Sequence, residues 1–181
     1  VVFGYRKRGI SLVDAAVAII YKKTKNDRIE ILFIKRTINL GDPWSGHIAF
    51  PGGRYSEEDN SLLDTVYREV KEEINLDLLK YGKLIARLEK ERSLIRRNLI
   101  IHPFLFYLLD DAQKLIGNQE VDKIFWIPID ELKHSKCRRY LRDTESYWMV
   151  YCYRWRKDIV IWGVTYRILY RLLEKHRDLM K

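Results

Sequence analysis

Gly52-Gly53-Arg54-Tyr55-Ser56-Glu57-Glu58-Asp59-Asn60-Ser61-Leu62-Leu63-Asp64-Thr65-Val66-Tyr67-Arg68-Glu69-Val70-Lys71-Glu72-Glu73-Ile74-Asn75-Leu76 is a glycine turn that runs into a carboxylate-bearing helix. Leu62, Leu63, Val66, Tyr67, Val70 and Ile74 recur at helical spacing and predict a helix over 61–74, with Asn60 or Ser61 as its N-cap. Glu69 stands three residues before Glu72 and four before Glu73, so the three carboxylates crowd one side of that helix. On a helical wheel Glu73 lies at the edge of the apolar stripe, Glu69 is next to it, and Glu72 is further round. Like charges at these spacings repel, and a carboxylate at a core boundary is costly unless its charge is compensated. A divalent cation compensates it. Magnesium or manganese takes oxygen ligands, and a diphosphate supplies those the protein lacks. A solvated acidic face is the competing reading of the three glutamates alone, and the place of Glu73 against the stripe weighs against it.

The stretch resembles the signature of the Nudix hydrolases, Gly-x5-Glu-x7-Arg-Glu-U-x-Glu-Glu-x-Gly-U, where U is a bulky aliphatic residue. Gly53, Arg68, Glu69, Val70, Glu72, Glu73 and Leu76 match it. Three positions depart: Asp59 replaces the first Glu, one additional residue separates Asp59 from Arg68, and Asn75 replaces the last Gly. The last change is mild, because Asn is second to Gly in the left-handed conformation that ends many helices. Upstream, Ile31-Leu32-Phe33-Ile34-Lys35-Arg36 is an apolar strand with a basic end, and Trp44-Ser45-Gly46-His47-Ile48-Ala49-Phe50-Pro51 leads into the glycine pair. This stretch, the one-residue extension and the run Ile161-Trp162-Gly163-Val164-Thr165 are similar to the coenzyme A diphosphatase branch of the family. The segment between Arg36 and Gly46 is one residue longer than in that branch, with Gly41-Asp42 where an arginine is expected.

The resemblance implies a single Nudix domain over residues 1–181, an α/β/α sandwich with a mixed sheet and a catalytic loop-helix. It implies Glu69 and Glu73 as the main metal ligands, with Glu72 assisting and the Gly53 carbonyl completing the shell around magnesium or manganese. Arg68 is expected to orient the glutamates, and Glu69 or Glu120 to take a proton from water. Arg36, Ser45, Gly52 and Gly53 are the expected substrate contacts, Arg36 because a guanidinium fork suits phosphate oxygens. A strand-end salt bridge competes for Arg36, and an ordinary loop carboxylate is the plainer reading of Glu120. His47 is read as structural. Lys90, Arg92, Arg96 and Arg97 form a basic loop that faces either solvent, a 3′-phosphate or RNA. The implied reaction is attack of water on the diphosphate of coenzyme A, giving 3′,5′-ADP and 4′-phosphopantetheine. Nucleoside triphosphates (oxidised ones included), ADP-ribose, dinucleoside polyphosphates and capped RNA are the alternative substrates. A noncatalytic nucleotide-binding module is the remaining class, and the intact Glu69, Glu72 and Glu73 argue against it.

Composition agrees with an enzyme domain of this size. Hydrophobic residues make up 47% of the 181, too many for a disordered chain. No apolar run approaches the roughly 18 residues needed to cross a bilayer, so no membrane association is expected. Arg6, Lys7 and Arg8 precede an apolar stretch that Asp14 interrupts, which reads as a first strand and not a signal peptide. Cys137 and Cys152 show neither metal spacing nor a dense disulfide framework; they are read as structural and as suited to a reducing cytoplasm. A phosphate-rich small molecule explains the net charge of +9 more simply than nucleic acid does, and a homodimer is left open. Abundant charged residues hint at a thermophilic source.

The remaining order predicts strands over 12–21, 29–36, 84–88, 99–109 (broken at Pro103), 123–127, 147–155 and 159–162. Asp130-Glu131-Leu132 reads as a helical turn, and a long terminal helix is expected over 164–179.

Overall fold

The computed structural model describes residues 12–42, 44–110, 113–141 and 145–180; the basic stretch at Arg6 to Arg8 lies outside them. Strand β1 (Val13–Lys23) runs through an eight-stranded mixed sheet. It is parallel to β7 (Leu99–Leu108) and antiparallel to β2 (Ile29–Arg36) and β4 (Gly52–Arg54). Strands β3 (Ile48–Ala49) and β8 (Val121–Pro128) pair with β2, while β5 (Gly82–Arg87) and β6 (Glu91–Arg92) pair with β7. β1 and β7 are apolar on both faces because both faces are covered. Helices α1 (Leu62–Ile74) and α2 (Leu78–Tyr81) cover one of them, where Val66, Val70 and Ile74 pack on Ala16, Ala18 and Phe106. The other face carries α3 (Gly163–Lys175) and a three-stranded antiparallel sheet of β9 (Lys133–Leu141), β10 (Ser146–Trp155) and β11 (Ile159–Trp162). There Ile161 and Leu169 pack with Ile19, Phe33 and Leu105. The α/β/α arrangement is as expected, with a small sheet added to the α3 layer.

Local chemistry sets the ends of α1. Of the two N-cap candidates it is Ser61 that caps: its hydroxyl accepts the Asp64 N–H at 3.1 Å and donates to the Asp64 carboxylate at 3.1 Å. At the other end Asn75 adopts φ 57°, ψ 25°, the left-handed conformation for which it replaces glycine, and its N–H closes on the Lys71 carbonyl.

Two expectations need correction, and one strand goes unpredicted. β7 is not broken at Pro103. The Pro103 carbonyl accepts the Leu88 N–H, so the missing N–H of the proline faces the gap between β5 and β6, where no ladder bond is needed. The terminal helix stops at Lys175. A 3₁₀ turn (Arg177–Met180) follows, burying Met180 and offering the Leu179 carbonyl to the Tyr21 hydroxyl at 3.2 Å. Finally, Lys133–Leu141 is a full strand that its polar sequence conceals.

That strand explains the cysteines. Cys137 lies opposite Val150, and Cys152 opposite Ser135, so the two are diagonal neighbours on one side of the β9–β10 hairpin. They form a disulfide with a Cα–Cα distance of 6.1 Å. They are structural, but as a cross-link, which corrects the reading of two thiols suited to a reducing compartment. Such bonds persist in oxidising compartments and also inside hyperthermophiles. Closing a loop of this length stabilises by about 3 kcal/mol, which for a chain of this size is about 6–12 °C in melting temperature. Replacing both cysteines by serine is expected to lower the melting temperature by that amount. An unchanged melting curve would show that the bond does not form.

Candidate active site

The glycine pair brings β4 against both β1 and α1. A side chain at Gly52 would meet the Ala16 carbonyl at 2.3 Å, and its φ of 142° is a glycine conformation. A Cβ at Gly53 would lie 2.3 Å from the Glu69 carboxylate. The backbone of residues 52 and 53 therefore lies directly against the acidic side of α1. The Gly52 N–H donates to Glu73 Oε2 at 2.8 Å.

The helical-wheel order of the three glutamates is their order of burial. The Glu73 side chain is 4% exposed, Glu69 18% and Glu72 55%. Burial pushes the Glu73 carboxyl up to about 8; the Gly52 N–H and Arg36 pull against this, while the Glu69 and Glu120 charges add to it. Burial likewise raises Glu69, with Arg68 opposing.

Arg68 is pinned by a residue whose role the sequence did not disclose. Its Nε and Nη2 donate to the two oxygens of Asp59, each at 2.9 Å. The buried Asp59 carboxylate also accepts from Thr65 Oγ1 at 2.8 Å and the Ser56 N–H at 3.0 Å. The Arg68 fork, with Ser56 and Thr65, holds this carboxyl well below the usual carboxylate range. Fixed in this way, Arg68 Nη1 donates to Glu69 at 2.7 Å and to Glu72 at 3.4 Å. The orienting role expected for Arg68 has a geometric basis, and the one available signal for Asp59 was its place at the first acidic position of the signature.

Arg36 enters from the end of β2 and meets three carboxylates. Its Nε donates to Asp42 at 2.9 Å, Nη1 lies 3.6 Å from Glu73, and Nη2 lies 3.5 Å from Glu120. Against the upward push of burial, the Trp44 N–H and Arg36 hold Asp42 below its ordinary value. The salt bridge that competed with phosphate binding is thus present, and Asp42 is a central part of it. Glu120 is brought to the site because its carbonyl accepts the Thr37 N–H at 2.9 Å, next to Arg36. The Ser45 hydroxyl accepts the Asn39 N–H at 2.8 Å and braces this loop. His47 packs on Trp162, with ring centres 4.6 Å apart. Arg96 stacks over Trp44 at 5.2 Å and so stands beside the loop that carries Asp42.

Among the described residues no three acidic, histidine or cysteine side chains close a metal shell by themselves. The donor set nevertheless fits a hard cation. The buried Glu73 carboxylate, the partly buried Glu69 carboxylate and a peptide backbone that approaches them without a side chain supply oxygen, and magnesium is commonly held by one or two carboxylates plus substrate phosphate.

Residues 12–147 match the sequence model of the NUDIX domain. The chain belongs to the Nudix family. This Nudix chain is 27% identical over 154 residues to a Caenorhabditis elegans protein named as a peroxisomal coenzyme A diphosphatase, covering 84% of the chain and 64% of that protein. It is 31% identical over 123 residues to an uncharacterised Schizosaccharomyces pombe protein, covering 64% of the chain and 37% of that protein. It thus spans less than two thirds of the length of either relative. A MutT/nudix family protein from Enterococcus faecalis superposes with a TM-score of 0.61 at 16% identity, over 92% of this chain and 64% of that one, a likeness of fold.

The raised Glu73 carboxyl sets a pH dependence. Between its ordinary 4.5 and about 8 the folded protein keeps a proton that the unfolded chain has released, so stability falls as pH rises through this window. Asp59 acts in the opposite sense, its contribution being lost as pH falls below the usual carboxylate range. In metal-free buffer the melting temperature is expected to decline from pH 5 to pH 8 in the native protein. In Glu73→Gln that decline should be largely gone, and an equal slope in both proteins would refute the burial argument.

Proposed function

We propose that this Nudix protein hydrolyses the diphosphate bond of a nucleoside diphosphate derivative with a divalent cation, magnesium or manganese, and that the substrate is coenzyme A or a derivative of it. The observation that carries the reading is the meeting of Glu69 and Glu73 with the Gly52-Gly53 backbone. Glu73, Glu69 and the Gly53 carbonyl would hold the cation, with Glu72 at the exposed edge. When bound, the cation neutralises the diphosphate and lowers the pKa of water. Asp59 fixes Arg68, and Arg68 fixes Glu69, so the ligand geometry is set before substrate arrives. Gly52 and Gly53 let the diphosphate approach the backbone. Arg68 holds Glu69 at 2.7 Å, whereas Arg36 meets the more exposed Glu120 only at 3.5 Å, which makes Glu120 the better placed carboxylate to take the proton from the attacking water.

Glu73→Gln is expected to fold, to be no less stable than the native protein in metal-free buffer, and to lose orders of magnitude in hydrolysis. Turnover like that of the native protein would eliminate the site. Saturating magnesium or manganese should raise the melting temperature of the native protein and do so less in Glu69→Gln.

The choice of coenzyme A rests on the similarity to proteins named as coenzyme A diphosphatases and on the Phe50-Pro51-Gly52-Gly53 stretch. Because Asp42 engages Arg36, the 3′-phosphate falls to another cation, and Arg96, stacked over Trp44 in the loop that carries Asp42, is the candidate. A charge-assisted hydrogen bond of about 1.5 kcal/mol predicts that Arg96→Ala lowers kcat/KM for coenzyme A about tenfold and leaves dephospho-coenzyme A unchanged. If ADP-ribose or an oxidised deoxyguanosine triphosphate is hydrolysed far better than either, the coenzyme A reading fails and the diphosphatase reading stands.

A further inference from the structure

Away from the acidic helix, one side of the β9–β10 hairpin presents rings and cations. Residues that face each other across an antiparallel pair share a side of the sheet. The register sets Tyr147 opposite Tyr140, Met149 opposite Arg138, and Tyr151 opposite Lys136. Tyr147, Met149 and Tyr151 are 61%, 63% and 54% exposed, and Tyr140 is 49% exposed. The Arg138 guanidinium lies 4.4 Å from the centre of the Tyr147 ring, and Lys136 Nζ lies 5.2 Å from that of Tyr151. Tyr140 meets Tyr147 edge-on at 5.3 Å. On the α3 side Tyr166 continues the row, stacked on Tyr151 at 6.4 Å. Neither β9 nor β10 contains an aspartate or glutamate. The carboxylates that border the row are the exposed Glu145, two residues before Tyr147, and Glu174 of α3, whose charge reaches Tyr153 and Tyr166.

A contiguous exposed patch of large apolar side chains marks a surface with a partner. The cations decide which one. An apolar protein surface would have to bury Lys136 and Arg138 without a counter-charge. A second copy in a twofold dimer would set the same two cations against themselves. A polyanion with flat uncharged rings satisfies both components, since bases stack on tyrosine and phosphates pair with lysine and arginine.

We propose that this face binds single-stranded nucleic acid, with bases stacked on Tyr147 and Tyr151 and the backbone held by Lys136 and Arg138. The net charge of +9 adds long-range attraction. Stacking is tolerant of sequence, so the expected preference is for single strands over duplex and not for a particular sequence. The inference is independent of the hydrolytic site.

The test is a titration of the native protein with a short fluorescent oligoadenylate RNA bearing a 5′-hydroxyl, in buffer without divalent cations. Tyr147→Ala and Tyr151→Ala are each expected to weaken binding about tenfold. Lys136→Gln combined with Arg138→Gln should reduce the slope of log affinity against log salt by about 1.4. Diphosphate hydrolysis should be unchanged in all of these variants. The proposal is overturned if the oligonucleotide does not bind, if the tyrosine variants bind it as tightly as the native protein, or if inorganic polyphosphate displaces it as well as unlabelled RNA does. It is also overturned if sedimentation shows a dimer that Tyr147→Ala and Tyr151→Ala dissociate, since a second copy would then occupy the face.

Discussion

The Glu73 carboxylate is nearly sealed from solvent, and its close partner is one backbone N–H, that of Gly52. Keeping that contact requires β4 to lie in a slot between β1 and α1 that no side chain at residue 52 would fit, and one at residue 53 only by displacing the Glu69 carboxylate. The same slot aligns the Gly53 backbone with Glu69 and lets Arg68 reach the Arg54 carbonyl at 3.2 Å. Burial makes the carboxylate expensive to ionise, so the fold carries an electrostatic cost at this position. Two further groups make this tolerable. Asp59 takes up the charge of Arg68, and Arg36 spreads its own over Glu73, Glu120 and Asp42.

What could be read from the sequence was what local periodicity and local chemistry determine. The α1 stripe, its Ser61 cap, its Asn75 end and the ranked burial of Glu73, Glu69 and Glu72 all depend on a single helix and its flanks. β2 is built on the apolar run Ile31-Leu32-Phe33-Ile34, and its predicted limits agree with the structure. The features that escaped depend on distant pairing. Lys133–Leu141 lacks apolar alternation, because its partner β10 and the cross-link hold it in the sheet and a buried face does not. With that strand unseen, the proximity of Cys137 and Cys152 could not be inferred. The Asp59–Arg68 fork links a loop to the middle of a helix, and the Asp42–Arg36 pair depends on how a loop folds back over a strand end. Pro103 was misread for the same reason: whether a proline breaks a strand depends on which neighbour its missing N–H would have faced.

The two faces of the main sheet have different duties. Apolar contacts on the α1 side position charged groups, so the core there doubles as the support of the site. On the α3 side the small sheet extends beyond what the core requires, and in the far half of β10 the side chains of Tyr147, Met149 and Tyr151 are each more than half exposed. Asp42 adds a restraint of its own, because a guanidinium at the end of β2 that is already paired is a weaker anion receptor than a free one.

The cross-strand disulfide also acts on sheet registry. Side chains alternate in direction along a strand, so a slip of one residue between β9 and β10 would exchange the two sides of the hairpin and turn Tyr147 and Tyr151 to the opposite face. β9 is an edge strand, polar along its length, with little hydrophobic pattern to resist such a slip. A covalent link between Cys137 and Cys152 permits one alignment alone. The bond thus works as a ratchet stop, fixing which side chains this hairpin shows to the outside.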